Sequence, residues 1–189
     1  MSTPATPITF VTGNAGKLRE LESIASGKLD FTARKLSLDE IQSLDLREIV
    51  THKLRQAYAE VQAPVIVEDV SAVLASLNGL PGPFVKFFNQ QLGSGALHIL
   101  ALGKEDAVMI TCLAGYYDGH DMLFAEGIMA GHVTAPRGEN GFGFDPVVVP
   151  DEQPDLTCPG RTVAEMTPDE KNIVSHRAKA MRSLIARLA

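Results

Sequence analysis

The sequence has few cysteines, no long apolar run and no excess of positive charge. Its two cysteines, Cys112 and Cys158, are too few for a disulfide framework and have no zinc-binding spacing, so we expect reduced thiols in a cytoplasmic protein. No stretch approaches the roughly 18 apolar residues of a membrane span, and residues 1–7 lack the apolar run of a signal peptide. We therefore expect no membrane partner.

Acidic residues outnumber basic ones, 23 to 17, which gives a net charge of −6 and a pI of about 5.3. A protein that clamps a nucleic acid polymer usually carries a basic stripe, so this balance argues against such a partner. It does not exclude a small phosphorylated substrate, because a few local lysines and a metal ion suffice to bind one.

With 189 residues and a hydrophobic content of 45%, the chain can bury a sizeable core. It contains no internal repeat, low-complexity tract or linker, so we predict one domain over residues 1–189, with room for two lobes. Strands alternate with helices in the first half, which predicts a parallel or mixed sheet, and a hairpin signal at 118–121 predicts an antiparallel extension. The predicted strands are 7–12, 28–34, 65–67, 107–117, 122–133 and 147–149, and the predicted helices are 14–25, 46–60, 84–91, 96–102 and one from the capping residues 167–170 towards Leu188.

A glycine-bearing turn between the first strand and the first helix is the most informative segment. It consists of Thr12, Gly13, Asn14, Ala15, Gly16 and Lys17. Glycines let the main chain approach an anion, amides at a helix start point towards it, and the lysine adds a positive charge, so the turn is a candidate phosphate site. It is not the common P-loop, because only two residues separate Gly13 from Gly16 and Leu18 replaces the hydroxyl that would hold magnesium. Metal ligands must come from elsewhere, and an ordinary strand-to-helix turn is the alternative.

Acidic residues occur at two places that suit a metal site. Glu68 and Asp69 follow a predicted buried strand, and ligands collect at that edge of open α/β sheets, although alternation should point only one of the two into a cleft. Asp39 and Glu40 lie in an acidic loop. Magnesium usually takes one or two protein carboxylates, so Glu40 with Asp69 could hold it. The alternatives are a polar pair that leaves a strand and a solvated charge pair.

Three further groups are candidates for ligand contacts. Lys53 and Lys86 could neutralise phosphate charge, or could be solvated helix lysines. The loop of Phe142, Gly143, Phe144 and Asp145 places two aromatic rings among glycines, where they could stack on a base or cover the edge of the core. The donors at Lys171, Asn172, Ser175, His176 and Arg177 match a keto oxygen better than an amino group, or form a polar helix face.

Taken together, these segments resemble the inosine/xanthosine triphosphate pyrophosphatase family, which removes non-standard purine nucleotides. The resemblance covers nearly the whole chain in the family's order and rests on residues 12–17, Glu40, Lys53, 67–69, 79–83, 135–138, 142–146, 170–172 and 175–177. The sequence departs from the family pattern after the acidic pair. The family usually has Thr or Ser there, whereas this chain has Val70-Ser71. A hydroxyl that could contact substrate is missing there, while the main-chain N–H remains.

The resemblance implies an elongated α/β fold of two lobes around a mixed, twisted sheet flanked by helices, with the site in the cleft between the lobes, usually in a homodimer. It implies hydrolysis of ITP, dITP or XTP to the monophosphate and pyrophosphate, with Mg²⁺ as cofactor and Mn²⁺ as an alternative. By resemblance, the turn of residues 12–17 binds the triphosphate, and Lys17 is also a catalytic contact. Glu40 and Asp69 hold the metal, and Asp69 is also the candidate base. Lys53, Lys86 and Lys171 resemble phosphate or nucleotide contacts, residues 142–145 the base-stacking loop, Ser175 a substrate contact beside them, and His176-Arg177 the keto-group readers.

Two other functions remain open at this level. A related house-cleaning pyrophosphatase would act on modified pyrimidine or other nucleotides, and a substrate panel would separate it. A nucleotide-binding regulatory module would show no turnover. The presence of both Glu40 and Asp69 argues against the module, since pure binding seldom needs a metal and a base together.

Overall fold

The computed structural model describes residues 7–155 and 159–188. The prediction for Cys158 lies outside them. The strands are β1 (Ile8–Val11), β2 (Phe31–Arg34), β3 (Val65–Leu74), β4 (Pro81–Gly82), β5 (Asp106–Tyr117), β6 (Met122–Val133) and β7 (Val148–Pro150). The α-helices are α1 (Ala15–Ala25), α2 (Leu46–Val61), α3 (Val85–Leu92), α4 (Ala96–Leu100), α5 (Pro168–Val174) and α6 (His176–Leu188), and short 3-10 turns cover Ala75–Leu77, Asp145–Val147 and Val163–Glu165.

Over the described residues, the strands form one seven-stranded mixed sheet in the order β2-β1-β3-β5-β6-β7, with β4 paired to β3. β1 runs parallel to β2 and β3, and β3, β5, β6 and β7 pair antiparallel in turn. The predicted mixed α/β class and the antiparallel extension are confirmed. The long β5–β6 hairpin pairs in register along its whole length, from Asp106↔Val133 to Tyr117↔Met122.

Each face of the sheet covers its own apolar cluster, and alternation along β3 decides which residue joins which. Ile66 and Val70 pack into the larger cluster, with residues of α1 and α6. Val65 and Val67 pack into the smaller cluster under α2. Because side chains alternate along a strand, Glu68 faces the α1–α6 side and Asp69 the α2 side.

The prediction that β3 ends at residue 67 is wrong. The strand continues to Leu74 because β5 pairs with it at every step, from Val65↔Tyr117 to Leu74↔Val108. On the opposite edge, β1 pairs only as far as Phe10↔Ile66, and β4 returns at Ala72 and Val73. The acidic pair therefore lies in the middle of a strand, where that edge opens.

The prediction of one continuous last helix is also wrong. Ser175 has an extended backbone, with φ −62° and ψ 133°, and separates α5 from α6. Its Oγ accepts a hydrogen bond from the Ala178 N–H at 3.4 Å, as a cap of the second helix does. The break sets the direction of His176 and Arg177, which begin α6. The predicted capping box is present, with Thr167 and Glu170 each accepting from the other's backbone N–H.

Candidate active site

A cleft of about 1110 Å³ opens at the carboxyl end of β1, beside the unpaired edge of β3. Most of the predicted site residues line it, although they come from distant parts of the chain. Those that do are Thr12, Gly13, Asn14, Lys17, Glu40, Lys53, Glu68, Asp69, Lys86, Phe142, Gly143, Phe144, Asp145, His176 and Arg177. Five others do not line the cleft, namely Ala15, Gly16, Lys171, Asn172 and Ser175.

The turn after β1 is shaped by its own side chains. The Oδ1 atom of Asn14 accepts the Gly16 N–H at 2.8 Å and the Lys17 N–H at 3.2 Å, and Thr12 Oγ1 accepts the Asn14 N–H at 3.1 Å. These bonds cap α1 and hold the turn against the cleft. Two of the amides that the sequence suggested for an anion thus donate to Asn14. Gly16 is buried, and a Cβ atom there would collide with the ring of Phe142.

Glu68 lies at the centre of a buried ionic cluster. Its side chain is 2% exposed, forms an ion pair with Lys17 Nζ at 2.5 Å and accepts a hydrogen bond from Arg177 Nε at 3.0 Å. The Cys112 thiol donates to the same carboxylate at 3.0 Å. Burial alone would raise the pKa of Glu68, but Arg177 and Lys17 outweigh it and lower the pKa, so this carboxylate is ionised. Burial and the neighbouring Glu68 charge raise the pKa of Cys112, which keeps the thiol protonated as a donor.

The cluster continues to the aromatic loop through Lys171. This lysine is 7% exposed and pairs with Glu20 at 2.6 Å and with Asp145 at 2.6 Å. Asp145 also accepts the Phe142 N–H at 2.7 Å, and burial raises its pKa despite the Lys171 charge. The Lys171 ammonium lies 4.5 Å from the centre of the Phe142 ring. Lys171, which the family resemblance placed on the nucleotide, thus lies behind the loop and holds it.

Phe144 and His176 form the inner wall of the cleft. Phe144 is 8% exposed and packs in the larger apolar cluster, so Phe142 is the half-buried ring of this loop. His176 lies 5.9 Å from Phe144 between ring centres. Its two ring nitrogens are buried, and neither has a partner among the described residues. Burial, with the neighbouring Arg177 charge, lowers the pKa of His176 well below its usual value, so the imidazole is neutral. A polar ligand in the cleft would satisfy it.

Asp69 faces the other, more open side of β3. Its side chain is 17% exposed and accepts from Lys53 Nζ at 3.1 Å. Lys53 also lies 3.6 Å from Glu40, and Lys86 donates to Glu40 at 2.8 Å. Burial disfavours the charged form of Lys53, but Asp69 and Glu40 outweigh it and raise its pKa. Burial would raise the pKa of Glu40, yet Lys86 and Lys53 lower it.

The Val70 N–H, which remains where the family hydroxyl is missing, donates to Asp69 Oδ1 at 2.8 Å. It therefore orients the carboxylate. The two residues of the acidic pair both line the cleft, because the cleft wraps around the open edge of β3, whereas the sequence analysis expected alternation to expose only one.

The donor set suits a hard divalent cation. Glu40 and Asp69 lie 3.6 Å and 3.1 Å from the same Lys53 nitrogen, and carboxylate oxygens are the ligands that magnesium prefers. No group of three or more His, Cys, Asp or Glu side chains across residues 7–155 and 159–188 could hold a metal by itself. Two carboxylates fit a magnesium ion that completes its shell with substrate phosphate and water. The metal role of these residues stays a prediction.

A sequence profile of the Ham1 family matches residues 8–187. The chain belongs to the Ham1 family. It is 36% identical over 188 residues to the inosine triphosphate pyrophosphatase of Pyricularia oryzae, and the aligned region covers 98% of this chain and 95% of that protein. It is 41% identical to inosine triphosphate pyrophosphatase 2 of Trypanosoma cruzi, over 95% of this chain and 90% of that protein. The predicted family resemblance is confirmed.

Solved structures of Ham1 proteins share this fold. The HAM1 protein of Coxiella burnetii superposes with a TM-score of 0.79 over 96% of this chain and 98% of that chain, at 24% identity. The Ham1 protein of Staphylococcus aureus gives a TM-score of 0.77 over 97% and 98%, at 21% identity. At these identities the likeness concerns the fold. No helix among the described residues of this Ham1 family member is long and apolar enough to cross a membrane.

The sequence analysis missed several residues of the cleft. Lys35 and Ser37 follow β2, and Asn89 and Gln90 lie on α3. The signal for Lys35 was available, because it follows a strand that runs parallel to β1 and so ends at the same edge of the sheet. The α3 residues had no such signal, since the approach of Asn89 to Gly143 depends on tertiary packing.

Proposed function

We propose that this protein hydrolyses non-standard purine nucleoside triphosphates, ITP, dITP and XTP, to the monophosphate and pyrophosphate, and so cleanses the nucleotide pool. One observation carries the proposal. A single cleft joins an acid-and-lysine end, with Glu40, Asp69 and Lys53, to an aromatic end, with Phe142 and His176. The first end suits polyphosphate chemistry and the second suits a purine base. The curated names of the relatives support the same reaction.

The turn of residues 12–17 lies between the two ends and would hold the triphosphate. Its shape is fixed before substrate arrives by the bonds from Asn14 Oδ1. Lys17 points from the first turn of α1 to Glu68, where its charge is held at the cleft wall. Such preorganised charge stabilises a transition state without the cost of reorganisation.

In this proposal, Asp69 positions and deprotonates the attacking water. Its Oδ1 is held by the Val70 N–H and its Oδ2 by Lys53. The water oxygen forms a bond to the α-phosphorus, the bond from that phosphorus to the bridging oxygen breaks, and the water proton passes to the Asp69 carboxylate. Glu40 and Asp69 would hold Mg²⁺, with Mn²⁺ an alternative. When bound, the ion offsets the charge that develops on the phosphate oxygens.

Base selection would rest on His176 and Arg177. A neutral imidazole can donate from one nitrogen to a keto oxygen, and the nitrogens of His176 have no partner among the described residues. Arg177 uses Nε and Nη1 to bind Glu68 and Glu20, so its charge is fixed at the wall. An amino group in place of the keto oxygen would face donors and leave them unpaired.

The deciding experiment measures pyrophosphate release from ITP, XTP and ATP, with and without Mg²⁺. We expect magnesium-dependent release and a kcat/KM for ITP at least about tenfold above that for ATP, since each unpaired donor costs about 1–3 kcal/mol. Inorganic phosphate as the first product, or equal rates on ATP and ITP, would contradict the proposal. A panel of modified pyrimidine triphosphates tests the related house-cleaning activity.

The homodimer and the cytoplasmic location also remain proposals. The homodimer follows from the family likeness, and light scattering of the purified chain would test it. Location would be tested by fractionation of the source cells.

A further inference from the structure

Four lysines line the cleft, and three of them are paired with carboxylates. Lys17 pairs with Glu68, Lys53 with Asp69 and Lys86 with Glu40. The fourth, Lys35, is exposed, and no carboxylate in residues 7–155 and 159–188 lies within ion-pair distance of it. A solvated ammonium that lines a cleft is available to a ligand anion.

The sheet fixes the place of Lys35. β1 and β2 pair in parallel with Val11 opposite Arg34, and the Thr12 N–H donates to the Arg34 carbonyl at 3.0 Å. The residue after β2 must therefore lie beside the start of the phosphate turn. The side-chain carbons of Lys35 lie over Gly13, 3.5–3.6 Å from where a Cβ atom on that glycine would be.

The neighbours of the two glycines indicate how a nucleotide would be oriented along the turn. Gly16 packs against Phe142, at the aromatic end of the cleft. Gly13 lies at the opposite end of the turn, under Lys35. A nucleotide whose base stacks near Phe142 and whose phosphates follow the turn extends its terminal phosphates towards Lys35.

We infer that Lys35 binds the β- and γ-phosphates of the substrate, and hence the pyrophosphate product, and that it does not contact the nucleoside monophosphate. This inference rests on the proposed function. The ammonium contributes as a point charge on a flexible stem, which adapts to a terminal phosphate better than a rigid donor would.

The test compares Lys35→Gln with Lys28→Gln. Lys28 is exposed and precedes β2, at the opposite end of the same strand, so it is a matched control for charge loss. We expect Lys35→Gln to raise the KM for ITP about tenfold, as the loss of one charge-assisted hydrogen bond does, with a smaller change in kcat. Lys35→Arg should restore most of the affinity, and Lys28→Gln should match the wild type.

Product binding locates the contact. Titration calorimetry with pyrophosphate and with inosine monophosphate, both with Mg²⁺, should show about a tenfold weaker affinity of Lys35→Gln for pyrophosphate and an unchanged affinity for the monophosphate. Unchanged pyrophosphate binding, or an equal loss for both products, would overturn the inference. Failure of the proposed function is a separate result, because a wild-type protein that releases no pyrophosphate from ITP can still be titrated with both products.

Discussion

Glu68 and Asp69 are neighbours in the chain, yet they lie in opposite environments. Glu68 is enclosed by Lys17, Arg177 and the Cys112 thiol, and its side chain is 2% exposed. The side chain of Asp69 is 17% exposed and meets the cleft with Lys53 as its partner. One step along β3 thus separates an enclosed carboxylate from an open one, to which we assign the reactive role as a proposal. A strand with an open edge can therefore carry an enclosed carboxylate and an accessible one side by side.

The two carboxylates differ in whether their ion-pair partners can be replaced by another cation. A buried carboxylate must keep its partners, since an unpaired charge in the interior costs several kcal/mol. The partners of Glu68 connect onwards through Glu20 and Lys171 to the aromatic loop, so this side is a rigid wall. On the Asp69 side the ammonium of Lys53 lies between two carboxylates, and a divalent cation could take over part of its role there.

Replacing Asp69 by asparagine tests the open side and should have the largest effect. We expect kcat for ITP to fall about 10²–10⁴-fold, because the amide can neither accept the water proton nor bind a cation as a carboxylate does. The free energy of unfolding should change less than for the loss of the Glu68 charge, because Lys53 keeps Glu40 nearby and the Asp69 side chain still reaches the cleft. Single-turnover pyrophosphate release and urea unfolding measure the two. Turnover near that of the wild type would exclude Asp69 from the metal and base roles.

The matching change on the closed side, Glu68→Gln, should act mainly on stability. It removes the carboxylate partner of the partly exposed Lys17 and leaves the buried Arg177 with Glu20 alone, so we expect a loss of about 3 kcal/mol in urea unfolding at pH 7. If this variant were as stable as the wild type while Asp69→Asn was not, the assignment of structural and reactive roles would be reversed.

Part of this arrangement could be predicted from the sequence. Strand, glycine turn and helix predicted the turn of residues 12–17 that borders the cleft, whereas the expectation that only one of Glu68 and Asp69 would point into the cleft was wrong, since both line it. What the sequence could not give was the length of β3, because two consecutive acids are typical of a strand end. They lie within the strand because β5 pairs along its full length while β1 stops at Phe10.

Local sequence was least informative where buried charges pair over long distances. Lys171 is read as a phosphate contact until its partners Glu20 and Asp145 are placed beside it. Phe144 is read as a base-stacking ring until its packing in the core is known. Such roles depend on contacts between separate segments of the chain, such as Lys171 with Glu20 and with Asp145, and no local pattern encodes them.

The neutral His176 adds a pH dependence to the closed side. Its pKa is lowered in the folded protein by burial and by Arg177, while the unfolded chain titrates near 6.5. Below pH 6.5 the unfolded state therefore binds the extra proton, and stability is lost as the pH falls towards the lowered pKa. The expected slope is about 1.4 kcal/mol per pH unit. Urea unfolding between pH 7.5 and 5.5 measures it. His176→Asn should flatten this slope, and an unchanged slope would show that another group causes it.

The smallest expected effect comes from the thiol on Glu68. Cys112→Ser keeps a donor to the carboxylate, whereas Cys112→Ala removes it with a similar loss of volume. We expect the serine variant to be more stable than the alanine variant by about 1 kcal/mol, the usual contribution of a hydrogen bond. The difference should be small because Lys17 and Arg177 still hold Glu68 in either variant. Equal urea midpoints would mean that the two cations alone fix the carboxylate, whereas a difference of several kcal/mol would make the thiol an essential part of the closed side.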